Sequence, residues 1–381
     1  MSESQPFTIL CLAGDVKGHR FMTEAKRLGC RVFLLTRKAH AKADWPREAI
    51  DEFFFLDSLL DKDSAIKGVS WLARRENIDR IVGLDDFDTE TAAVLREHLR
   101  VPGMGDTTTR YFRDKLAMRM KAREAGIEVP DFVHVLNYQR VADFLEQTPA
   151  PWMMKPRSQA ATAGISKLWK PEDVWRKIDE LGDEQSHFLL EAFIPGDIYH
   201  VDSIIYEREI VFNEVNRYGR PPLDVAHDGG IFITSTVERD SPEAKELFEM
   251  NRRVIAAMGQ VRGVAHTEFI RSSANGRFYF LETAARVGGA HIAEVAEAAT
   301  GINLWAEWAK IELAGGKAPY YLPQRRNDYA GIALCLARQE FPDTSSYSDP
   351  EIVWRETKEF HAGVIVASSS HARIKELLDS Y

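Results

Sequence analysis

Only three cysteines occur in 381 residues, and Cys11, Cys30 and Cys335 stand far apart inside apolar segments. Such spacing offers neither a disulfide framework nor a metal-ligand set, and fits inert core thiols in a reducing compartment. No stretch approaches the roughly 20 consecutive apolar residues that cross a bilayer, so no membrane association is expected. The opening MSESQPF lacks the basic start and apolar run of a secretion signal, which makes the cytoplasm the expected location. Positive charge is not in excess either. The 49 Lys and Arg face 58 Asp and Glu, a formal net charge of -9 with both signs interspersed, so no extended positive field awaits a nucleic-acid backbone. Two nucleotide signatures are also missing: the first turn is GDVKG instead of GxGxxG, and GxxxxGK[ST] occurs nowhere.

What is present reads as an ordinary globular chain, too long for one core and therefore expected to divide into subdomains. FTILCLAG (7–14), CRVFLLTR (30–37), EFFFLD (52–57) and DRIVGLD (79–85) are apolar strand signals separated by polar helical stretches. That alternation means parallel crossover units in an α/β region. Ligands of open parallel sheets gather beyond the carboxyl ends of strands, which places GDVKGHR (14–20) and DDFDTE (85–90) at a possible substrate edge. The acidic run reads equally as a cap for the helix that follows, with Asp85, Asp86 and Asp88 at its start. VPGMG (101–105) marks a boundary.

RYFRDKLAMRMKAREA (110–125) predicts an amphipathic helix with Phe112, Leu116 and Met120 on its apolar stripe. Most of Arg113, Lys115, Arg119, Lys121 and Arg123 are expected to solvate its outer face. PWMMK (151–155) and GISKLWK (164–170) predict two strands flanking the small-residue loop SQAATAG. That loop is either a plain hairpin connection or a phosphate cradle in which backbone N–H groups and Lys155 meet anionic oxygens. Residues 187–219 predict further antiparallel strands, with Glu191 on a linker that could meet the edge of a nucleobase or simply face solvent.

Glu268 closes the apolar approach GVAHTEF and Glu282 closes FYFLE, across the short turn SANG. If these strands pair, the two carboxylates point into one cleft and supply the oxygen ligands that suit Mg²⁺. Arg286, followed by Gly288 and Gly289, could reach an oxyanion there or lie in solvent. Arg217, Arg220, His227 and Asp228 in RYGRPPLDVAHDGG form either an acceptor-side loop or an ordinary polar one.

The ordered set RDKLAMRMKAREAGIEVP (113–130), MMKPRSQAATAGISK (153–167), LLEAFIPGDIYHVDS (189–203), HTEFI (266–270) and FLETAARVGG (280–289) resembles the ATP-grasp superfamily, most of all its carboxylate-amine ligase branch. The resemblance covers about residues 7–315. It implies an α/β and α+β chain. A Rossmann-like domain (1–105) precedes an ATP-grasp small lobe with linker (106–190) and a large lobe with the metal site (191–320), and a small C-terminal module (321–381) packs on the clamp.

By the same resemblance Lys115 and Lys155 approach ATP phosphates, and the 158–164 loop, including Ser158 and Gly164, closes above them. Glu191, Ala192 and Ile194 form the adenine hinge, and His200 approaches the ribose or phosphates. Glu268 and Glu282 are the implied Mg²⁺ ligands. Arg286, with Lys155, is the implied catalytic cation. Two positions depart from the family pattern: Ala284 replaces an asparagine ligand, and Ile198 replaces a glutamate of the hinge strand. The implied activity converts a small carboxylate to an acyl phosphate and couples it to a small amine. The alternatives are carboxylation through carboxyphosphate and a non-catalytic nucleotide-binding module. Extended α/β surfaces leave a homodimer open.

Overall fold

The computed structural model describes residues 6–160, 162–315 and 318–381. Residues 1–5 of the opening segment and Ala161 of the 158–164 loop lie outside the described residues.

The apolar runs of the first hundred residues become β1 (Thr8–Ala13), β2 (Arg31–Arg37), β3 (Glu52–Leu56) and β4 (Arg80–Gly83). They pair in parallel in the order β3-β2-β1-β4. Helices His19–Arg27, Lys62–Leu72 and Asp86–Leu99 cover the sheet, so β1 is buried along its whole length. The order reverses between β1 and β4, and the crevice at their carboxyl ends holds Gly14–Lys17 and Asp85–Asp88. This domain shares a core with the rest of the chain: Phe21 meets Trp308 edge to face, with ring centroids 5.3 Å apart.

A second sheet is made of β5 (Phe132–His134), β6 (Trp152–Pro156), β7 (Ser166–Leu168) and β8 (Phe188–Ala192), in the antiparallel order β5-β8-β6-β7. Helices Tyr138–Gln147 and Pro171–Leu181 pack on it through Val141, Val174 and Ile178. Glu191 and Ala192 are the last residues of β8 and so belong to this sheet.

The third sheet has eight antiparallel strands: β9 (Gly196–Tyr206), β10 (Glu209–Tyr218), β11 (Phe232–Thr236), β12 (Gly263–Ser272), β13 (Phe278–Ala284), β14 (Tyr329–Leu336), β15 (Ile352–Arg355) and β16 (His361–Ser368). Their order is β13-β12-β9-β10-β11-β14-β16-β15. The small C-terminal module packs on the clamp through the sheet itself. β14 pairs directly with β11, so the last three strands extend the same sheet. Helix Pro242–Met258 packs Leu247, Val254 and Ile255 against one face.

Gly196, at the start of β9, permits the closest approach at the mouth of the cleft. A Cβ there would lie 1.9 Å from the Arg271 carbonyl oxygen, closer than any side chain tolerates.

The helix expected over 110–125 is divided. Residues Asp106–Arg110 form one short helix. A second starts at Lys115 because the Asp114 carboxylate accepts from the Leu116 and Ala117 N–H groups. Phe112 and Leu116 are buried as expected, but Met120 is 52% exposed and Arg119 wholly buried, so the inner stripe departs from the expected one in the last turns.

Candidate active site

A cavity of about 210 Å³ lies between the four-stranded and the eight-stranded sheets. Met153 and Lys155 of β6 and Glu191 of β8 share one face, because Met153 stands directly opposite Glu191 in register. Across the cavity, Glu268 of β12 stands directly opposite Glu282 of β13. Like charges facing each other destabilise a bare sheet pair, so this register costs stability unless cations stand close by. They do: Lys115 Nζ lies 2.8 Å from Glu282 Oε2, and it also donates to the Gln159 carbonyl at 2.8 Å. Burial pushes the Glu282 carboxyl up, but Lys115, Lys155 and Arg286 outweigh it and hold the group near 2.

Glu191 has a different place from the one expected. It is not free to meet a nucleobase: at 0% exposure its Oε1 lies 2.6 Å from Arg119 Nε and its Oε2 2.7 Å from Lys155 Nζ. Burial raises its carboxyl, yet Arg119 and Lys155 bring it below the ordinary glutamate range. Glu191 therefore fixes the head of Lys155 at the cavity floor. Ala192 and Ile194 line the same cavity beside it, as do Pro221, Pro222 and Asp224 of the loop singled out for the acceptor side. The four charged residues singled out in that loop do not line it. Arg217 pairs with Asp197 and Arg220 with Asp228 in half-exposed positions.

Four expected residues stand apart from this lining. Ser158 and Gly164 line a neighbouring cavity with Arg157 and Asp114, and the residues of the loop that reach the main cavity are Gln159, Thr162 and Ala163. His200 is fully buried in the sheet, its Nδ1 2.7 Å from Asp202 and its Nε2 2.7 Å from the Thr234 hydroxyl, so it is not placed to meet a ribose. Arg286 is held by the first domain, donating to Asp86 Oδ2 through Nε at 2.8 Å, with Nη2 at 2.7 Å.

The acidic run at 85–88 thus combines both readings. Asp85 caps its helix through the Asp86 N–H and pairs with Lys17 at 2.7 Å, whereas Asp86 links the first domain to Arg286. Asp88 is 1% exposed and accepts from the Gly14 N–H at 2.8 Å. Burial pushes its carboxyl up to about 7, aided by Asp85. A group raised in the folded state contributes its stability below its unfolded value near 4 and loses it as pH climbs through about 7. An Asp88→Asn variant is accordingly expected to flatten a stability slope of up to about 1.4 kcal/mol per pH unit across that window, read by urea unfolding at stepped pH.

Sequence reasoning missed Arg119, Tyr218, Asp202 and His266. Arg119 is the largest fully buried side chain and was assigned to the solvated face. Asp202 and His266 had a signal, because His200-x-Asp202 and His266-x-Glu268 each put two polar groups on one face of a strand, whereas Tyr218 had none. In register His266 meets Asp202 and Glu268 meets His200.

Comparison with known proteins agrees with this architecture. Residues 22–103 match the family model of the ATP-grasp N-terminal domain, and 236–318 match that of the carbamoyl-phosphate synthase L chain ATP binding domain. The chain is 26% identical over 283 residues to an L-arginine-specific L-amino acid ligase of Bacillus subtilis, covering 72% of this chain and 67% of that one. Its fold superposes on an L-amino acid ligase from Bacillus licheniformis with a TM-score of 0.77 at 18% identity, covering 99% of this chain and 98% of the other. The N5-carboxyaminoimidazole synthetase from Staphylococcus aureus complexed with ADP gives a TM-score of 0.74 at 16% identity, covering 99% and 97%. At these identities the two structures speak for the fold. The three sheets and the cavity between two of them, with the two family-model matches, give the chain an ATP-grasp fold. By sequence it is similar to an amino acid ligase.

Proposed function

We propose that this chain is an ATP-dependent ligase that activates a small carboxylate as an acyl phosphate and joins it to a small amine, releasing ADP and phosphate. The observation that supports it best is the convergence of Lys115, Lys155, Glu268 and Glu282 on one cavity between two sheets. The donor set fits a divalent ion: two carboxylates face each other in register, and Glu268 Oε2 makes no hydrogen bond or ion pair among the described residues. When bound there, Mg²⁺ would offset the charge of the phosphate oxygens.

In this reading the expected lobes 106–190 and 191–320 act as the clamp, with the division moved past Ala192 because β8 ends there. Lys155, steadied by Glu191, and Lys115 hold the phosphates, and the backbone of Ala192 and Ile194 meets adenine. Lys115 exchanges its Glu282 contact for phosphate oxygens as nucleotide enters. The substrate carboxylate oxygen attacks the γ-phosphorus as the bond to ADP breaks, and Arg286, shared with Asp86, stabilises the charge that develops. The amine nitrogen then attacks the activated carbonyl, and phosphate leaves. Enclosure between the lobes keeps water from the acyl phosphate.

The similarity to an L-amino acid ligase supports amino acids as the first acids and amines to try. The cytoplasm is the proposed compartment. All three cysteines are free thiols, and no described helix is long and apolar enough to cross a membrane. The test is a screen of paired acids and amines read by ADP release and product mass. ADP is expected only with a competent acid, and the product mass should equal the acid plus the amine less water. ADP release that is indifferent to every carboxylate would overturn the ligase reading.

A further inference from the structure

The polar residues behind Glu268 form one continuous chain. The Tyr218 hydroxyl donates to Glu268 Oε1 at 2.8 Å, and His266 Nε2 lies 3.4 Å from the same oxygen. On its far side His266 Nδ1 lies 2.9 Å from Asp202 Oδ1, while Asp202 Oδ2 lies 2.7 Å from His200 Nδ1. His200 Nε2 ends the chain 2.7 Å from the Thr234 hydroxyl, at a fully buried position.

His200, Asp202 and His266 are close enough to be considered as a metal site of their own. Their hydrogen bonds argue against it. Each imidazole has Nδ1 against one oxygen of Asp202, and because a carboxylate only accepts, both Nδ1 atoms donate there; His266 lies between two carboxylates, so its Nε2 donates as well, towards Glu268. The cluster is satisfied without an ion, so its purpose has to be sought at its open end. That end is Glu268, where Oε1 carries two contacts and Oε2 none.

We infer that Tyr218, His266 and Asp202 are positioning residues: Tyr218 and His266 hold Glu268 by Oε1, Asp202 holds His266 from behind, and Oε2 is left for the divalent ion. The inference rests on the nucleotide reading above and adds to it. A glutamate has three rotatable bonds, and directly opposite Glu282 its charge is driven away from the position a shared ion requires. Donors on one oxygen hold it there before any ion arrives. Partners of this outer kind usually matter to metal affinity by about 10- to 100-fold. The residue opposite His266 in register is Ala284, too small to hold either group in place of these donors.

The experiment uses the full chain with Mn²⁺ and a non-hydrolysable ATP analogue, with bound Mn²⁺ followed by electron paramagnetic resonance. Tyr218→Phe is expected to weaken Mn²⁺ in the ternary complex by about 10-fold, leaving metal-free analogue affinity and the thermal midpoint unchanged. His266→Asn keeps a donor towards Asp202 but none that reaches Glu268, and should lose as much or more. His266→Gln reaches Glu268 and should recover most of the loss. Mn²⁺ affinity within twofold of the parent in Tyr218→Phe would overturn the inference. So would equal losses in the Asn and Gln variants, because both remove the ring and its charge and only one removes the reach. A parent protein that binds neither analogue nor Mn²⁺ would instead bring down the nucleotide reading, and the inference with it.

Discussion

Turnover is expected to fall roughly 10²- to 10³-fold in a Glu282→Gln variant, the size of loss seen when one electrostatic contact to a transition state is removed. Glu282 is held near 2 by its cationic neighbours, so it carries a full charge at any working pH. Glutamine keeps its shape and one oxygen but removes the charge that a divalent ion and Lys115 both use. The loss should fall on kcat at saturating nucleotide, and raising Mg²⁺ should recover part of it. Steady-state ADP release at stepped Mg²⁺ concentrations checks both. A variant with parental rate and parental Mg²⁺ dependence would take Glu282 out of the metal role. A loss that no Mg²⁺ concentration touches would point to the Lys115 contact as its more important function.

Glu282 also shows which parts of the site could be read from sequence. Its pairing with Glu268 is local: two strands joined by a short turn, each carrying one carboxylate, have few other ways to meet. Lys155 was legible for the same reason, at the end of a strand that opens a small-residue loop. The parallel sheet of the first domain followed from apolar runs alternating with polar helical ones.

What escaped depends on partners distant in the chain. Arg119 sits on a helix whose Lys121 and Arg123 do face out, but Arg113 is buried, Lys115 turns to Glu282 and Arg119 is taken inside by the strand carrying Glu191. On the same helix Met120 is exposed while Arg119, one position earlier, meets Glu191. Of the last three strands only AGVIVASS (362–369) reads as a strand in the sequence, and its place in the large sheet does not. The β11–β14 pairing brings together edges that local sequence cannot choose between. His200 entered the sequence reading only through the family resemblance. The resemblance directed it to the nucleotide, whereas register directed it to Asp202.

The floor of the cavity gives the largest expected effect on stability. Glu191→Ala leaves the wholly buried Arg119 and the largely buried Lys155 side by side without the carboxylate that pairs with both. Breaking a buried pair by removing one partner typically costs about 3–5 kcal/mol, because the penalty is that of the stranded charge and exceeds the value of the contact. Here two cations are stranded, so the upper end of that range is expected in urea unfolding, with loss of nucleotide binding as Lys155 swings away from its neighbour. Glu191→Gln should cost less, since an amide oxygen still accepts from one of the two donors. Adding Lys155→Met to Glu191→Gln removes a stranded charge and should recover part of the stability while leaving nucleotide binding lost. That opposite movement of the two readouts separates a buried charge balance from simple packing. If the double variant proves less stable than Glu191→Gln alone, the lysine stem contributes by filling space, and the ionic account of the floor fails.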